Sequence, residues 1–119
     1  MAVRIHHVQL MMPRGREDEA LRFYVELLGL PRIPKPSDMP NPEGVWLSLG
    51  DQELHLGVQD GEIDRASRAH VALVTDDLDA LGSRLAAAGV ALTPSNEVAG
   101  LRRVHVRDPF GNRLELIGR

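Results

Sequence analysis

The sequence contains no cysteine, and among its 14 basic residues only Lys35 is a lysine. Without cysteine the chain forms neither disulfides nor a thiolate metal site, and it has no thiol nucleophile. Long apolar runs are also missing: none approaches the ~18–20 residues that a membrane-spanning helix needs. The first residues lack the apolar core of a signal peptide. These absences predict a cytoplasmic protein that does not act at a membrane.

The charge balance is mildly acidic. The formal net charge is −3 and the sequence pI is about 5.9, so a general affinity for nucleic acid is not predicted. The 119 residues are 43% hydrophobic and 26% charged, which is the composition of a globular protein of one domain. We expect a single domain over residues 1–119 whose partner is a small molecule.

The chain consists of two similar halves, each of about 60 residues. Alternating apolar and polar residues predict the first strand of each half, over residues 4–12 and 69–75. Leucines and valines at helical spacing then predict a helix over 17–28 in the first half and over 77–88 in the second. Asp76 or Asp77 can cap the second helix, so both halves begin as strand and helix.

Three further strands are predicted in each half. A proline-containing extended stretch comes first, and in the first half it is an edge strand that runs into a loop over 31–42. Two short strands follow, at 45–49 and 53–58 in the first half and at 103–107 and 113–117 in the second. The predicted fold class is α+β, with two βαβββ modules in tandem over about 4–60 and 68–119.

Four side chains with metal-binding chemistry fall at matched positions of the two halves. His7 and His70 occupy the same place in the first strands, and His55 and Glu115 the same place in the last strands. If a pseudo-twofold axis relates the halves, all four side chains project toward it. Three imidazoles and one carboxylate converging in this way predict a site for one divalent ion. Their nitrogen and oxygen donors suit zinc, nickel, iron, manganese or cobalt.

Other candidate residues flank this set. Arg103 and His105 alternate on one strand. Arg103 either binds a carboxylate or phosphate of the substrate or faces solvent, and His105 either contacts the substrate or lines its pocket. Trp46 is either an aromatic wall of the pocket or a dimer contact. Strand alternation carries His6 to the opposite face, so His6 is not expected to be a ligand.

Five segments carry a family resemblance: residues 7–10, 23–30, 70–73 and 74–81, and above all 108–116, which read Asp-Pro-Phe-Gly-Asn-Arg-Leu-Glu-Leu. With these motifs the chain resembles the vicinal oxygen chelate superfamily of glyoxalases, bleomycin-resistance proteins and extradiol dioxygenases. The resemblance implies two βαβββ modules that form a cup-shaped, partly open barrel, which a homodimer completes. It also implies metal ligands on the first and last strands of each module. These are His7, His55, His70 and Glu115.

The resemblance also implies a chemistry. In that superfamily a metal accepts oxygens of the substrate and stabilises an oxyanion such as an enediolate. We therefore expect a divalent-metal-dependent, glyoxalase-like lyase or isomerase that acts on a small oxygen-rich substrate, with His55 and Glu115 as catalytic residues. The glyoxalases commonly have glutamate or glutamine where this chain has His55. That histidine is either a fourth ligand or a general base near neutral pH.

Three other activities are weighed against this one. An extradiol-type dioxygenase using Fe(II) fits because His7, His70 and Glu115 supply two histidines and one carboxylate, although such enzymes usually carry a second pair of modules. A non-catalytic, antibiotic-sequestering protein of the bleomycin-resistance type dispenses with the metal, and the histidines and glutamate disfavour it. A fosfomycin-type thiol transferase is disfavoured because no loop rich in serine and lysine precedes Asp108.

Overall fold

A computed structural model describes residues 1–40 and 42–119. The backbone contacts divide the chain into two compact units, which we call unit 1 (Met1–Ile63) and unit 2 (Asp64–Arg119). Each unit has its own four-stranded mixed sheet. Over the described residues, no helix is long and apolar enough to cross a membrane.

Unit 1 has the predicted βαβββ order. Its strands are β1 (His7–Met12), β2 (Arg32–Ile33), β3 (Val45–Leu49) and β4 (Gln52–Val58), and helix α1 (Glu17–Leu21) follows β1. The spatial order in the sheet is β1-β4-β3-β2, with β1 parallel to β4 and the other pairs antiparallel. The predicted edge strand in the proline-rich stretch is thus present as β2. Asn41, within the loop predicted there, lies outside the described residues.

Unit 2 repeats this arrangement. Its strands are β5 (His70–Thr75), β6 (Thr93–Val98), β7 (Leu101–Arg107) and β8 (Arg113–Gly118), and helix α2 (Leu78–Ala87) follows β5. The order β5-β8-β7-β6 matches that of unit 1, and β5 runs parallel to β8. The prediction of two βαβββ modules in tandem is confirmed.

The first helix differs from the prediction of one regular helix over 17–28. Regular α-helix ends at Leu21, and the chain continues as a π-helical segment over Arg22–Leu27. Its wider turn is closed by the Leu28 amide, which donates to the Phe23 carbonyl 2.9 Å away. Phe23 and Tyr24 are both buried. The π-helical segment therefore contains two consecutive buried rings.

Both faces of the last strands are buried. On β4, Leu54 and Leu56 are buried as the alternation predicts, and Leu114 and Leu116 are buried on β8. The alternate residues of the same strands, His55 and Glu115, are nevertheless only 4% and 5% exposed. Buried ionisable groups need partners, so the partners of His55 and Glu115 define the candidate site.

Candidate metal centre

The first and last strands of each unit pair in equivalent registers. In unit 1, His7 lies opposite Glu53, two residues before His55. In unit 2, His70 lies opposite Arg113, two residues before Glu115. The two pairs that the internal repeat predicts, His7 with His70 and His55 with Glu115, therefore occupy the same places in the two sheets.

Unit 2 gathers three potential metal ligands into one group, which we call the His–Glu cluster: His70, His105 and Glu115. One ligand atom from each lies within 4.8 Å of the other two. The His70 Nε2 is 3.9 Å from the Glu115 Oε2, and the His105 Nε2 is 3.8 Å from the Glu115 Oε1. The carboxylate is thus flanked by one imidazole at each oxygen.

A tight turn holds Glu115 in this position. Between β7 and β8, one Asp108 carboxylate oxygen accepts the backbone N–H groups of Phe110 and Asn112, and its other oxygen accepts the Asn112 side-chain amide. These three residues are buried. The turn fixes the antiparallel register in which His105 lies directly opposite Glu115. The closing motif of the sequence therefore has a direct role in building the cluster.

The backbone fixes the orientation of His70. Its Nδ1 lies 2.9 Å from the carbonyl oxygen of Arg68, and because a carbonyl only accepts, Nδ1 carries the proton of the neutral ring. Nε2 then carries the lone pair, and it lies 3.9 Å from a carboxylate oxygen of Glu115. Two hydrogen-bond acceptors this close together suit a cation between them. A hydrogen bond from the other ring nitrogen, here Nδ1, is the usual way in which a metal-binding histidine is oriented.

His105 is the additional member that the sequence did not assign as a ligand. Its Nδ1 lies 2.8 Å from the hydroxyl of Ser95 on β6, the residue that lies opposite Arg103. Burial, and secondarily the positive charge of Arg113, lowers the pKa of His105 below its ordinary value. His105 is thus held toward the neutral form, which is the form that binds metal. His105 lies directly opposite Glu115 on the neighbouring strand, so both side chains are on the same face of the sheet. This strand pairing was the sequence signal that could have identified His105 as a ligand candidate.

Arg103, a candidate substrate-binding residue, contacts Glu115. Its Nη1 donates to the Glu115 Oε1, and its Nε donates to the Asn96 carbonyl 3.0 Å away. Arg107, two residues further along the same strand, does not join this group. Its guanidinium donates to the backbone carbonyls of Gly111 and Arg65, so it supports the turn and the segment before β5.

Unit 1 gathers a different set, which we call the aromatic stack: His7, His55 and Trp46. The His55 ring lies between the other two, with its centroid 4.2 Å from that of His7 and 4.4 Å from that of Trp46, and the planes are 13° and 9° apart. Trp46 is the cross-strand neighbour of His55. Trp46, predicted as a pocket wall or a dimer contact, thus also forms one side of a slot for His55.

Glu53 orients His55 within the stack. The His55 Nε2 is 2.8 Å from the Glu53 Oε1, and this hydrogen bond lowers the pKa of Glu53. Because the ionised carboxylate only accepts, Nε2 carries the proton and Nδ1 is the free acceptor of the neutral ring. A histidine with a carboxylate behind it is the arrangement of a general base.

The prediction that His6 points away from His7 is wrong. Strand β1 begins only at His7, so alternation does not govern the residue before it. The two Nδ1 atoms are 3.0 Å apart and the rings meet edge to face. His6 is exposed and is an outer neighbour of the aromatic stack.

The donors of the His–Glu cluster fit a divalent cation. They offer imidazole nitrogen and carboxylate oxygen, the ligand types that zinc, iron, manganese, nickel and cobalt accept. The negative charge of the carboxylate is buried, which favours a cation over water beside it. The cluster belongs to unit 2 alone, and the aromatic stack with its two imidazoles belongs to unit 1.

Comparison with known families identifies the class of protein. Residues 4–116 match the model of the Glyoxalase/Bleomycin resistance protein/Dioxygenase superfamily. The chain belongs to this superfamily, and the family prediction made from the five sequence segments is confirmed.

Solved structures agree with this assignment. A putative glyoxalase family protein from Bacillus anthracis is 35% identical, with a TM-score of 0.89 over 100% of this chain and 97% of that one. A lactoylglutathione lyase from Agrobacterium tumefaciens is 23% identical, with a TM-score of 0.75 over 99% and 95%. The oxidase ChaP-H2 is 22% identical, with a TM-score of 0.77 over 100% and 95%. The last two show a shared fold alone.

Proposed function

We propose that this chain is a divalent-metal-dependent enzyme, a glyoxalase-like lyase or isomerase that acts on a small oxygen-rich substrate. The observation that carries the proposal is the His–Glu cluster, in which two oriented imidazoles flank one buried carboxylate. Membership of a superfamily that includes glyoxalases supports it. A bound cation would supply Lewis-acid stabilisation to an oxyanion that develops on the substrate.

The proposed ligands are His70 and Glu115, with His7 as the partner that the family resemblance adds. The resemblance also offers His55 as a fourth ligand; here it is assigned as the base, and the variants described below test the two alternatives. Glu115 contributes the one anionic donor of this set. His70 contributes a nitrogen whose orientation the Arg68 carbonyl fixes. Because Glu115 is a ligand, it is not free to carry a proton in the same step.

The proton-handling role in this proposal falls to His55. Glu53 holds the proton of Nε2, so the neutral ring accepts a proton at Nδ1. Stacking between His7 and Trp46 restricts the ring to one plane. A general base that is fixed in this way needs no reorientation before it takes a proton from the substrate.

An extradiol-type dioxygenase using Fe(II) is the second candidate. Here the specific observation is that His70, His105 and Glu115 form a set of two histidines and one carboxylate within one unit. This set is the ligand combination of non-haem iron oxygenases, which leave positions open for substrate and oxygen. The prediction from sequence used His7 in place of His105.

One experiment separates these functions. Protein stripped with a chelator is reloaded with zinc, nickel, manganese, cobalt or Fe(II). Each form is assayed for formation of lactoylglutathione from methylglyoxal and glutathione and, for oxygen uptake, with catechol. The proposal expects metal-dependent formation of the thioester, or isomerisation of a related carbonyl compound, without oxygen consumption. Catechol-dependent oxygen uptake that occurs only in the Fe(II)-loaded form would establish the dioxygenase. Binding of a bleomycin-type ligand by metal-free protein, without turnover under any condition, would establish a sequestering protein.

Matched variants test the assignment of ligands. Glu115→Ala removes the anionic donor and should reduce metal occupancy and activity more than His55→Ala does. His55→Ala should lower activity while metal remains bound if His55 is the base, whereas a loss of both would make it a ligand. Arg84→Ala is the control, because Arg84 lies on the last turn of α2 and is not among the proposed site residues. It should leave metal occupancy and activity unchanged.

A further inference from the structure

Arg103 is paired with the Glu115 carboxylate, which is the group that a metal ion would need as its anionic ligand. Its Nη1 is hydrogen-bonded to the Oε1 of Glu115, and Glu115 is its one carboxylate partner within 4.0 Å among the described residues. The side chains of Arg103 and Glu115 are 24% and 7% exposed. The buried carboxylate is therefore neutralised from within unit 2 before any cation binds.

A metal ion at Glu115 would weaken the contact between Arg103 and this carboxylate. A dication and a guanidinium beside one carboxylate repel each other, so a cation bound at Glu115 would weaken the pairing of Arg103 with its Oε1. The guanidinium is not free to leave, however. Its Nε is anchored to the Asn96 carbonyl, so Arg103 would stay beside the metal with its Nη donors released.

A released guanidinium in a mostly buried place needs a new anion. Arginine presents several N–H donors in a planar fork that matches a carboxylate. We propose that Arg103 is a two-state residue: it is the counter-ion of Glu115 in the metal-free protein, and it binds a carboxylate of the substrate once a divalent cation has taken Glu115. This inference rests on the proposed function, since it requires metal binding at Glu115.

This exchange couples the binding of the metal ion to the binding of the substrate carboxylate. A carboxylate that engages Arg103 removes it as a competitor for Glu115 and so strengthens metal binding. By linkage, the metal strengthens carboxylate binding by the same factor, which we expect to be about tenfold. The substrate class that follows is a small carboxylic acid whose other oxygens face the metal.

Cobalt(II) and acetate are the probes for this coupling. The dissociation constant of Co²⁺ is measured by its visible absorption in chloride and in acetate at the same ionic strength. Acetate should tighten Co²⁺ binding to the wild-type protein several-fold. Arg103→Gln should bind Co²⁺ more tightly than wild type in chloride, and acetate should not change its affinity.

Two further variants keep the test sharp. Arg102→Gln is the matched control, because Arg102 precedes Arg103, carries the same charge and pairs with the exposed Asp79; it should behave as wild type. Arg103→Lys keeps the charge but loses the fork, so it should compete for Glu115 and show a smaller acetate effect. Circular dichroism verifies that each variant is folded.

The outcomes distinguish the two proposals. If wild type binds Co²⁺ but Arg103→Gln shows the same affinity in chloride and the same response to acetate, the role of Arg103 is refuted and the proposed function stands. If folded wild-type protein binds no Co²⁺ in either salt, the proposed metal dependence fails, and the role of Arg103 fails with it.

Discussion

The Glu115 carboxylate contacts or lies close to three basic side chains. Its Oε1 accepts from Arg103 and lies 3.8 Å from His105, and its Oε2 lies 3.9 Å from His70. A buried carboxylate is tolerated only with such compensation, and removal of a single partner leaves a charge in a poorly solvated place. Glu115→Ala should therefore affect metal binding and also the stability of unit 2, through the unpaired Arg103.

The pKa of His105 gives a prediction for the metal-free protein. Burial lowers this pKa below the value of 6.5 that the unfolded chain has. The folded state then binds fewer protons than the unfolded state between the two pKa values, so the free energy of unfolding falls as pH decreases from 6.5 through the lowered pKa. Above 6.5 the contribution of His105 is constant.

Urea denaturation of chelator-treated protein between pH 5 and 8 measures this effect. His105→Gln should show a smaller loss of unfolding free energy on acidification than wild type, because the neutral amide has no proton to gain. An identical pH dependence of the two proteins would mean that His105 does not contribute to the acid sensitivity.

At the residue level, the sequence predicted the strand positions of the candidate ligands better than the surroundings of these residues. The repeat predicted the matched positions of His7, His70, His55 and Glu115 because a strand repeat preserves side-chain direction. It did not predict that Arg103 would contact Glu115. That contact depends on the rotamer of a long, flexible side chain and on the backbone carbonyl that anchors it, and neither has a signal in residue spacing.

The beginning of α2 offers a test at the scale of elements. The sequence allowed Asp76 or Asp77 as the N-cap, and in the structure the Asp77 carboxylate accepts the backbone N–H of Ala80 at 3.0 Å. Asp77→Ala should destabilise the protein by about 0.5–2 kcal/mol. Asp76→Ala changes the same charge one residue earlier and should cost much less. Equal losses in chemical denaturation would contradict the cap assignment.

The entry to β3 offers a second test. Gly44 has φ +85°, and an added Cβ would clash with the Leu56 carbonyl oxygen. Gly50 has φ +77° with no atom near an added Cβ. Gly50→Ala should cost only the left-handed backbone penalty, about 1–2 kcal/mol, whereas Gly44→Ala adds a backbone clash and should cost more. Similar midpoints for the two variants in thermal unfolding would contradict this close approach.

At this scale, strands were predicted more accurately than the first helix. Strand alternation and turn residues located β3 and β7 to within a few residues, because the pattern is imposed by burial on one face. The π-helical turn at Arg22–Leu27 could not be derived from spacing. It accompanies the burial of the consecutive rings of Phe23 and Tyr24, and this tertiary packing has no signal in the apolar period.

At the scale of the whole molecule, the sheets have outer strands with exposed apolar side chains. In each unit's sheet the outermost strands are the first and the second of the module, namely β1 and β2 in unit 1 and β5 and β6 in unit 2. Val74 on β5 is 59% exposed and Val98 on β6 is 54% exposed. Exposed apolar edges are usually covered.

We propose that the protein is a homodimer, as the family resemblance implied. Sedimentation velocity at micromolar concentration should give the mass of two chains. Val98→Lys places a charge on one of the exposed edges, and it should weaken the dimer if that edge is covered. A wild-type protein that sediments as one chain over the whole micromolar range would refute the proposal.

The account depends most on a cation bound through Glu115. Protein purified without added metal, then equilibrated with a divalent ion and freed of excess, should retain about one ion per chain as measured by inductively coupled plasma mass spectrometry. Glu115→Gln, which keeps the shape of the side chain and removes its charge, should lose most of that metal while remaining folded. Equal metal content in the two proteins, or none in the wild type, would contradict the assignment.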